Sequence, residues 1–254
     1  MMPRPRHALV RSIPDSFVLA LTSRSGPPPA VDLARNEHAR YVTALREGLG
    51  LDILTLPADE AQPDCVFVED SAIVVDGLAI ETRSAVPSRQ GERAAVIAAL
   101  GAYLPTATLP PGATLDGGDV LAVGRSLYVG LTARSNPAAV AALQALLPQR
   151  RVVGLPVPHG LHLKCHATSP DNQHILLAEG TLPAAAFAEP VWWVPAEEAE
   201  AANVVGHAGG VLVAEGAPRT AALLAERGLR VYPIATTQVA RADGALSCCA
   251  ILFP

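Results

Sequence analysis

Near its C-terminus the chain carries two adjacent cysteines, Cys248 and Cys249, in the apolar run Ala245-Leu246-Ser247-Cys248-Cys249-Ala250-Ile251-Leu252-Phe253. An Asp243-Gly244 turn signal stands just before it. Free cysteines are commonly small buried hydrophobes. On an extended strand, however, successive side chains face opposite ways, so one thiol can enter a site while its neighbour packs into the core.

The rest of the chain supplies partners for such a thiol. Asp64, Glu69 and Asp70 lie in Pro63-Asp64-Cys65-Val66-Phe67-Val68-Glu69-Asp70. Strand alternation puts Asp64 and Asp70 on one side and Glu69 on the other. Carboxylates on an apolar strand need a cation, a metal or a hydrogen-bonding partner to tolerate burial. Asp116 and Asp119 flank a Gly117-Gly118 pair, at the least a tight turn. His162, between Leu161 and Leu163, points away from their face. Arg89 and Arg134 each follow a pair of strand-like runs and precede a helix, and paired guanidinium groups make a good carboxylate receptor. A thiolate nucleophile, a proton-shuttling imidazole and an orienting carboxylate form a recognised catalytic set, whatever their order along the chain. Acids would receive a cationic head and arginines a carboxylate. The simplest such substrate is an arginine derivative.

Something must bring these scattered segments together. The chain has 254 residues, 50% of them hydrophobic and 17% charged, ample for one folded core. Its net charge is −5 with no Lys/Arg run, so a nucleic-acid or membrane-surface role is unsupported. No run approaches the roughly 18 apolar residues of a membrane span. The apolar piece Phe17 to Leu21 is too short for a signal-peptide core, and the four cysteines lack C-x-x-C spacing. A cytoplasmic protein with reduced thiols is the expectation.

Strands are expected at Ala8–Ile13, Leu51–Leu56, Cys65–Asp70, Ala72–Val75 and Leu78–Thr82, with helices over Val31–Leu49 and Gln90–Leu100. The pattern recurs in two strand pairs, Asp119–Val123 with Ser126–Val129 and Asn203–Val205 with Gly210–Val213. Each is followed by a helix (Pro137–Leu147, Thr220–Arg227) and a strand (Arg151–Leu155, Leu229–Pro233). Leu161–Cys165 with His174–Ala178 forms another opening hairpin with a weaker helix after it. These are about five ββαβ units of roughly 50 residues each, the mark of a repeat or propeller architecture. The first unit lacks a partner strand and the last strand, Leu246–Phe253, lacks a sheet. Joining them would close a ring and remove its exposed edges. No linker divides the chain, so residues 1–254 are read as one domain.

The strings Pro63 to Asp70, Thr114-Leu115-Asp116-Gly117-Gly118-Asp119, Gly160-Leu161-His162-Leu163-Lys164 and Leu246-Ser247-Cys248-Cys249 together resemble the dimethylarginine dimethylaminohydrolase family. The resemblance extends from Ala8 to the C-terminus. It implies a five-bladed α/β propeller of the pentein type and hydrolysis of Nω-methylated arginines to citrulline and an alkylamine, with no cofactor and no metal. It makes Cys248 the nucleophile, His162 the general acid and base, and Asp116 the orienting carboxylate. Asp64, Glu69 and Asp70 match the family's substrate-binding acids, and Arg89 and Arg134 the arginines at the substrate's amino-acid end. Leu21 matches a mobile lid residue and Ala242 a backbone contact. The expected partner is a small molecule, and a homodimer is compatible with the sequence without being specified by it. The rival readings are an arginine deiminase of the same fold, a non-catalytic propeller, and carboxylates holding a divalent metal.

Overall fold

A computed structural model describes residues 4–254. In chain order the elements are β1 (His7–Arg11), α1 (Val31–Thr43), β2 (Asp52–Leu56), β3 (Ala72–Val75), β4 (Leu78–Glu81), α2 (Arg93–Gly101) and β5 (Thr106–Thr108). They continue with β6 (Val120–Val123), β7 (Ser126–Leu131), α3 (Pro137–Leu146), β8 (Arg151–Pro156), β9 (Ala167–Thr168), β10 (Ile175–Ala178) and β11 (Val191–Val194). The last are β12 (Val205–His207), β13 (Gly210–Ala214), α4 (Pro218–Glu226), β14 (Arg230–Ile234) and β15 (Ile251–Phe253).

These strands form five three-stranded sheets. Each has one plan: an antiparallel edge strand, a central strand, and an outer strand parallel to the centre. A parallel neighbour requires a crossover, and α1, α2, α3 and α4 supply it in four of the sheets. The fifth crossover, between β10 and β11, holds only a short 3₁₀ turn at Ala184–Ala186, with Pro183 and Pro190 on either side. The sheet β15-β1-β2 is made from both ends of the chain: Leu9 pairs with Ile251 and His7 with Phe253. This is the pairing that the unpartnered first and last strands call for. Residues on or beside the edge strands β3, β6, β9, β12 and β15 all line one common cavity, so the five sheets share an axial channel.

Local chemistry explains the blades. Val75 and Leu78 are joined by Asp76-Gly77, both at positive φ (53° and 76°), the two-residue turn whose twist suits a hairpin. At α3 the Asn136 side chain accepts the Ala139 N–H at 3.1 Å and Pro137 takes the first helical position. The interior between blades is aliphatic, with Leu115, Leu127, Leu143 and Ile80 fully buried. No helix among the described residues is long and apolar enough to cross a membrane.

Three expected strands take another form. Cys65–Asp70, Leu161–Cys165 and the cysteine-bearing part of Leu246–Phe253 are tight turns ending in 3₁₀ helices at Val68–Ser71, Leu163–Cys165 and Ser247–Cys249. Their backbone groups are satisfied locally: Phe67 N–H donates to Asp64 O at 3.0 Å, Cys165 N–H to His162 O at 3.1 Å, and Cys249 N–H to Leu246 O at 3.4 Å. No ladder is open to them, because β4, β10 and β1 already pair with β3, β9 and β15. The expected helix Val31–Leu49 runs as α1 to Thr43 and then widens into a π turn over Ala44–Gly48.

Candidate active site

The edge strands β3, β6, β9, β12 and β15 are each preceded by a short 3₁₀ segment: Val68–Ser71, Gly117–Asp119, Leu163–Cys165, Ala196–Ala202 and Ser247–Cys249. Four of them carry or adjoin the chemical residues, which the repeat therefore gathers at one level of the channel. There Leu21, Asp64, Asp70, Arg89, Arg134, His162, Ala242 and Cys248 line a cavity of about 270 Å³. Asp116 stands behind His162. Glu69 faces away, into a second cavity of about 240 Å³ at the other end of the channel.

His162 is 3% exposed, with Nε2 3.2 Å from Oδ2 of the fully buried Asp116. The same Oδ2 accepts from Arg134 Nη1 at 3.1 Å, while Oδ1 has no hydrogen-bond partner among the described residues. One ligating atom each of Asp70, Asp116 and His162 lie within 4.8 Å of one another. Burial alone would lower the His162 pKa, but the Asp70 charge and the Asp116 hydrogen bond outweigh it and raise it above the ordinary imidazole value. Asp119 has a supporting part. Its Oδ1 accepts the Leu163 N–H at 2.9 Å and its Oδ2 the Ser135 and Thr132 hydroxyls at 2.6 and 2.7 Å, which fixes the His162 turn.

The two cysteines diverge, though on a 3₁₀ turn rather than a strand. Cys249 is buried in the apolar cluster with Tyr41 and Leu45, with Sγ 3.6 Å from Ala245 O. Burial and the Glu69 and Asp70 charges push its thiol up to about 12. Cys248 is half-buried and meets the cavity. Burial first, then the charges of Glu69 and Asp70, raise its pKa well above that of an ordinary thiol.

Arg89 is clamped. Its Nε and Nη2 donate to Glu92 Oε1 and Oε2 at 2.9 and 2.7 Å, and Nη1 donates to Asp70 Oδ2 at 2.8 Å. Burial would raise the Asp70 pKa; His162 and Arg89 overcome this and hold it at about 2. Glu92 remains high, at about 6, because burial outweighs its bonds to Arg89. Asp64 accepts the Leu21 N–H at 3.1 Å, and burial raises its pKa despite Arg89. Leu21 is 42% exposed on a segment tied to Asp243, whose Oδ2 accepts the Ser23 N–H at 2.5 Å. A divalent metal fits this site poorly. Asp70 already binds Arg89 and Gly118 N–H, and one oxygen of Asp116 binds Arg134, so an ion would have to share these carboxylates with arginines.

Some functional residues carried no usable signal in the sequence. Glu92 stands three residues beyond Arg89, a helical spacing consistent with contact, yet it reads as an ordinary surface acid. Lys164 pairs with Glu69 at 2.6 Å and is the cation that its burial requires. Gly118 reads as a turn residue, whereas it is pressed against the His162 ring: a Cβ there would lie 2.5 Å from Nδ1.

No family model matches the chain. It is 30% identical to N(G),N(G)-dimethylarginine dimethylaminohydrolase of Pseudomonas aeruginosa over 98% of this chain and 99% of that one. It is 36% identical to the enzyme of that name from Streptomyces coelicolor, over 86% and 85% of the two chains. A cysteine-to-serine variant of the Pseudomonas aeruginosa enzyme, solved with citrulline, matches with a TM-score of 0.93 at 29% identity, covering 99% and 100% of the chains. The N-terminal domain of ArgZ, a cyanobacterial arginine dihydrolase, matches with a TM-score of 0.86 at 19% identity over 97% of each chain, a likeness of fold alone. Five three-stranded units about one channel, four of them with a helical crossover and the site on their entry turns, define a pentein-type α/β propeller. Within that class, the chain belongs to the dimethylarginine dimethylaminohydrolase family.

Proposed function

We propose that the protein hydrolyses Nω-methylated arginines to citrulline and a methylamine or dimethylamine, with Cys248 as nucleophile. The observation that carries this reading is the meeting of Cys248 and His162 in one acid-lined cavity, in a chain similar over nearly its full length to enzymes of that name. Net charge −5 and the acidic cavity wall support a cationic small molecule rather than nucleic acid as the partner.

Asp64 and Asp70 receive the guanidinium. Glu69 is spent on Lys164 and Ser247 and is left out of direct contact. Arg134, whose one side-chain partner is Asp116, takes the substrate carboxylate together with the clamped Arg89. Leu21 and Ala242 border the entrance. In the resting protein the Cys248 proton is held tightly; the arriving cation, by neutralising the acids, lets that proton pass to solvent, leaving the thiolate beside the protonated His162. Cys248 Sγ then attacks the guanidinium carbon. His162 gives a proton to the methylated nitrogen, the C–N bond breaks, and the amine leaves a thiouronium on Cys248. His162 next takes a proton from water as its oxygen adds to the same carbon. Collapse of that second tetrahedral species breaks the C–S bond, gives its hydroxyl proton to solvent and releases citrulline and the thiolate, with His162 left protonated for the next turnover. Asp116 keeps the imidazole oriented throughout.

The test is product analysis with asymmetric dimethylarginine, monomethylarginine and arginine, for the wild type and Cys248→Ser. Citrulline from the methylated substrates, abolished in the variant, is the expected result. Turnover of arginine alone would refute the substrate assignment, and activity surviving in Cys248→Ser would refute thiol catalysis.

A further inference from the structure

Beneath the nucleophile lies a closed circuit of hydrogen bonds. Asn203 accepts the Ser247 N–H on Oδ1 at 2.9 Å, and its Nδ2 donates to Ser247 Oγ and to Lys164 O, each at 3.0 Å. Ser247 Oγ donates to Glu69 Oε2 at 2.8 Å, and Glu69 Oε1 takes Lys164 Nζ at 2.6 Å. The ammonium donates onward to Gly117 O at 3.2 Å. Asn203 and Ser247 are both buried.

The circuit joins every entry turn of the propeller. Asn203 follows the turn of the β12 blade, Glu69 belongs to the β3 turn, Gly117 to the β6 turn, Lys164 to the β9 turn and Ser247 to the β15 turn. Ser247 directly precedes Cys248, Lys164 lies two residues beyond His162, and Gly117 directly follows Asp116. A lever of one or two residues from these bonds thus reaches each member of the catalytic set. Asn203 bonds with both its amide oxygen and its amide nitrogen, and through them it contacts the backbone of both the Cys248 and His162 turns.

Resting on the assignment of Cys248 as nucleophile, we propose that Asn203 is a positioning residue which, through Ser247, Glu69 and Lys164, sets the Cys248 thiol against His162. It does not line the Cys248 cavity. A displacement of the nucleophile by about 1 Å from a remote change can cost on the order of a hundredfold in rate. Asn203→Ala should therefore lower kcat by about 10- to 100-fold while KM moves less than about twofold, the signature of lost placement rather than lost binding. Ser247→Ala, which deletes one oxygen, should reproduce the loss, and Ser247→Thr, which restores the hydroxyl, should recover most of it. Because they act through one circuit, Asn203→Ala and Ser247→Ala should combine with far less than additive effect.

An independent readout uses no substrate. The Cys248 peptide is followed by mass spectrometry during iodoacetamide alkylation across pH. Freeing the turn relaxes the burial that holds the thiol proton, so the midpoint in Asn203→Ala should shift down by about half a unit or more. Unchanged kcat and unchanged alkylation midpoint in folded Asn203→Ala or Ser247→Ala, even with a lower Tm, would overturn the positioning role. Should Asn203→Ala fail to fold, the Ser247→Ala and Ser247→Thr pair decides alone. If the wild type proves inactive on methylated arginines, the functional reading fails while the alkylation arm still judges the positioning.

Discussion

Gly118 lies flat against the His162 imidazole, so close that a Cβ on it would fall 2.5 Å from Nδ1 and 2.8 Å from Cγ of the ring. Its N–H meanwhile donates to Asp70 Oδ1 at 2.9 Å. The glycine therefore seats the ring and the carboxylate that charges it at once. Gly118→Ala should displace His162 and crowd Asp70 Oδ1, which lies 3.0 Å from the added Cβ. Overpacking costs about 1–3 kcal/mol. Activity should fall on the order of a hundredfold, because the proton shuttle is misplaced. Steady-state kinetics with thermal unfolding would check this; full activity would mean that the ring has room to move.

The blades could be read from the sequence because they obey simple periods. Val-rich runs broken by Asp76-Gly77 or Gly124 give hairpins, and Pro137 after Asn136 starts a helix. The entry turns could not. Cys65 to Val68 is an apolar run ending in two acids, like a buried strand, and only the prior pairing of β3 with β4 denies it a ladder. Even so, the predicted sides survive in outcome: Asp64 and Asp70 face the site and Glu69 faces the opposite cavity. The reason is the turn and not alternation. Lys164, Asn203 and Glu92 were hidden because nothing local marks them. Their meaning lies in partners far along the chain, or in a burial that helical spacing alone does not disclose.

Asp70 and Glu92 grip the same guanidinium and should give opposite pH dependence. The Asp70 pKa is held at about 2 against an ordinary 3.8, so its contribution is complete above pH 3.8 and is lost as pH falls towards 2. That of Glu92 is raised from 4.5 to about 6, so ionising it in the fold is costly and stability should fall as pH rises from 4.5 through 6. Each amounts to roughly 2 kcal/mol by linkage. Denaturant unfolding across pH 2 to 7 should thus lose slope between about pH 4.5 and 6 in Glu92→Gln, and below about pH 4 in Asp70→Asn. A profile unaltered by both variants would refute the assignment.

Asp243 is held at φ 55° and fastens the Leu21 segment. Its Oδ2 accepts the Ser23 N–H and its Oδ1 lies 3.4 Å from Arg24 Nε, with Arg24 Nη2 also bound to Glu200 at 2.8 Å. Asp243→Ala loses both ties and places a residue ill-suited to the left-handed region. The segment should open more often, giving faster limited proteolysis between Thr22 and Pro29 and a KM raised several-fold. Asp243→Asn tolerates the backbone and accepts the N–H, so it should be intermediate. Proteolysis unchanged in both would show that Asp243 does not hold the segment.

The two adjacent thiols should differ as sharply as their surroundings do. Cys248 opens on the cavity, whereas Cys249 is packed beneath it; burial raises the pKa of both thiols, so access is what separates them. Only the thiolate is alkylated, and only where reagent can enter. Iodoacetamide on the folded protein should therefore modify Cys248 and leave Cys249 intact, and both should react once the chain is unfolded. After burial, the Glu69 charge does most to raise the Cys248 pKa. Glu69→Gln should consequently move the alkylation midpoint of Cys248 to lower pH, although the same change weakens the tie to Ser247. A more reactive thiol in a slower enzyme would separate the two duties of Glu69. Holding the nucleophile in place would then matter more to turnover than ionising it, because the cationic substrate itself supplies the charge that favours the thiolate.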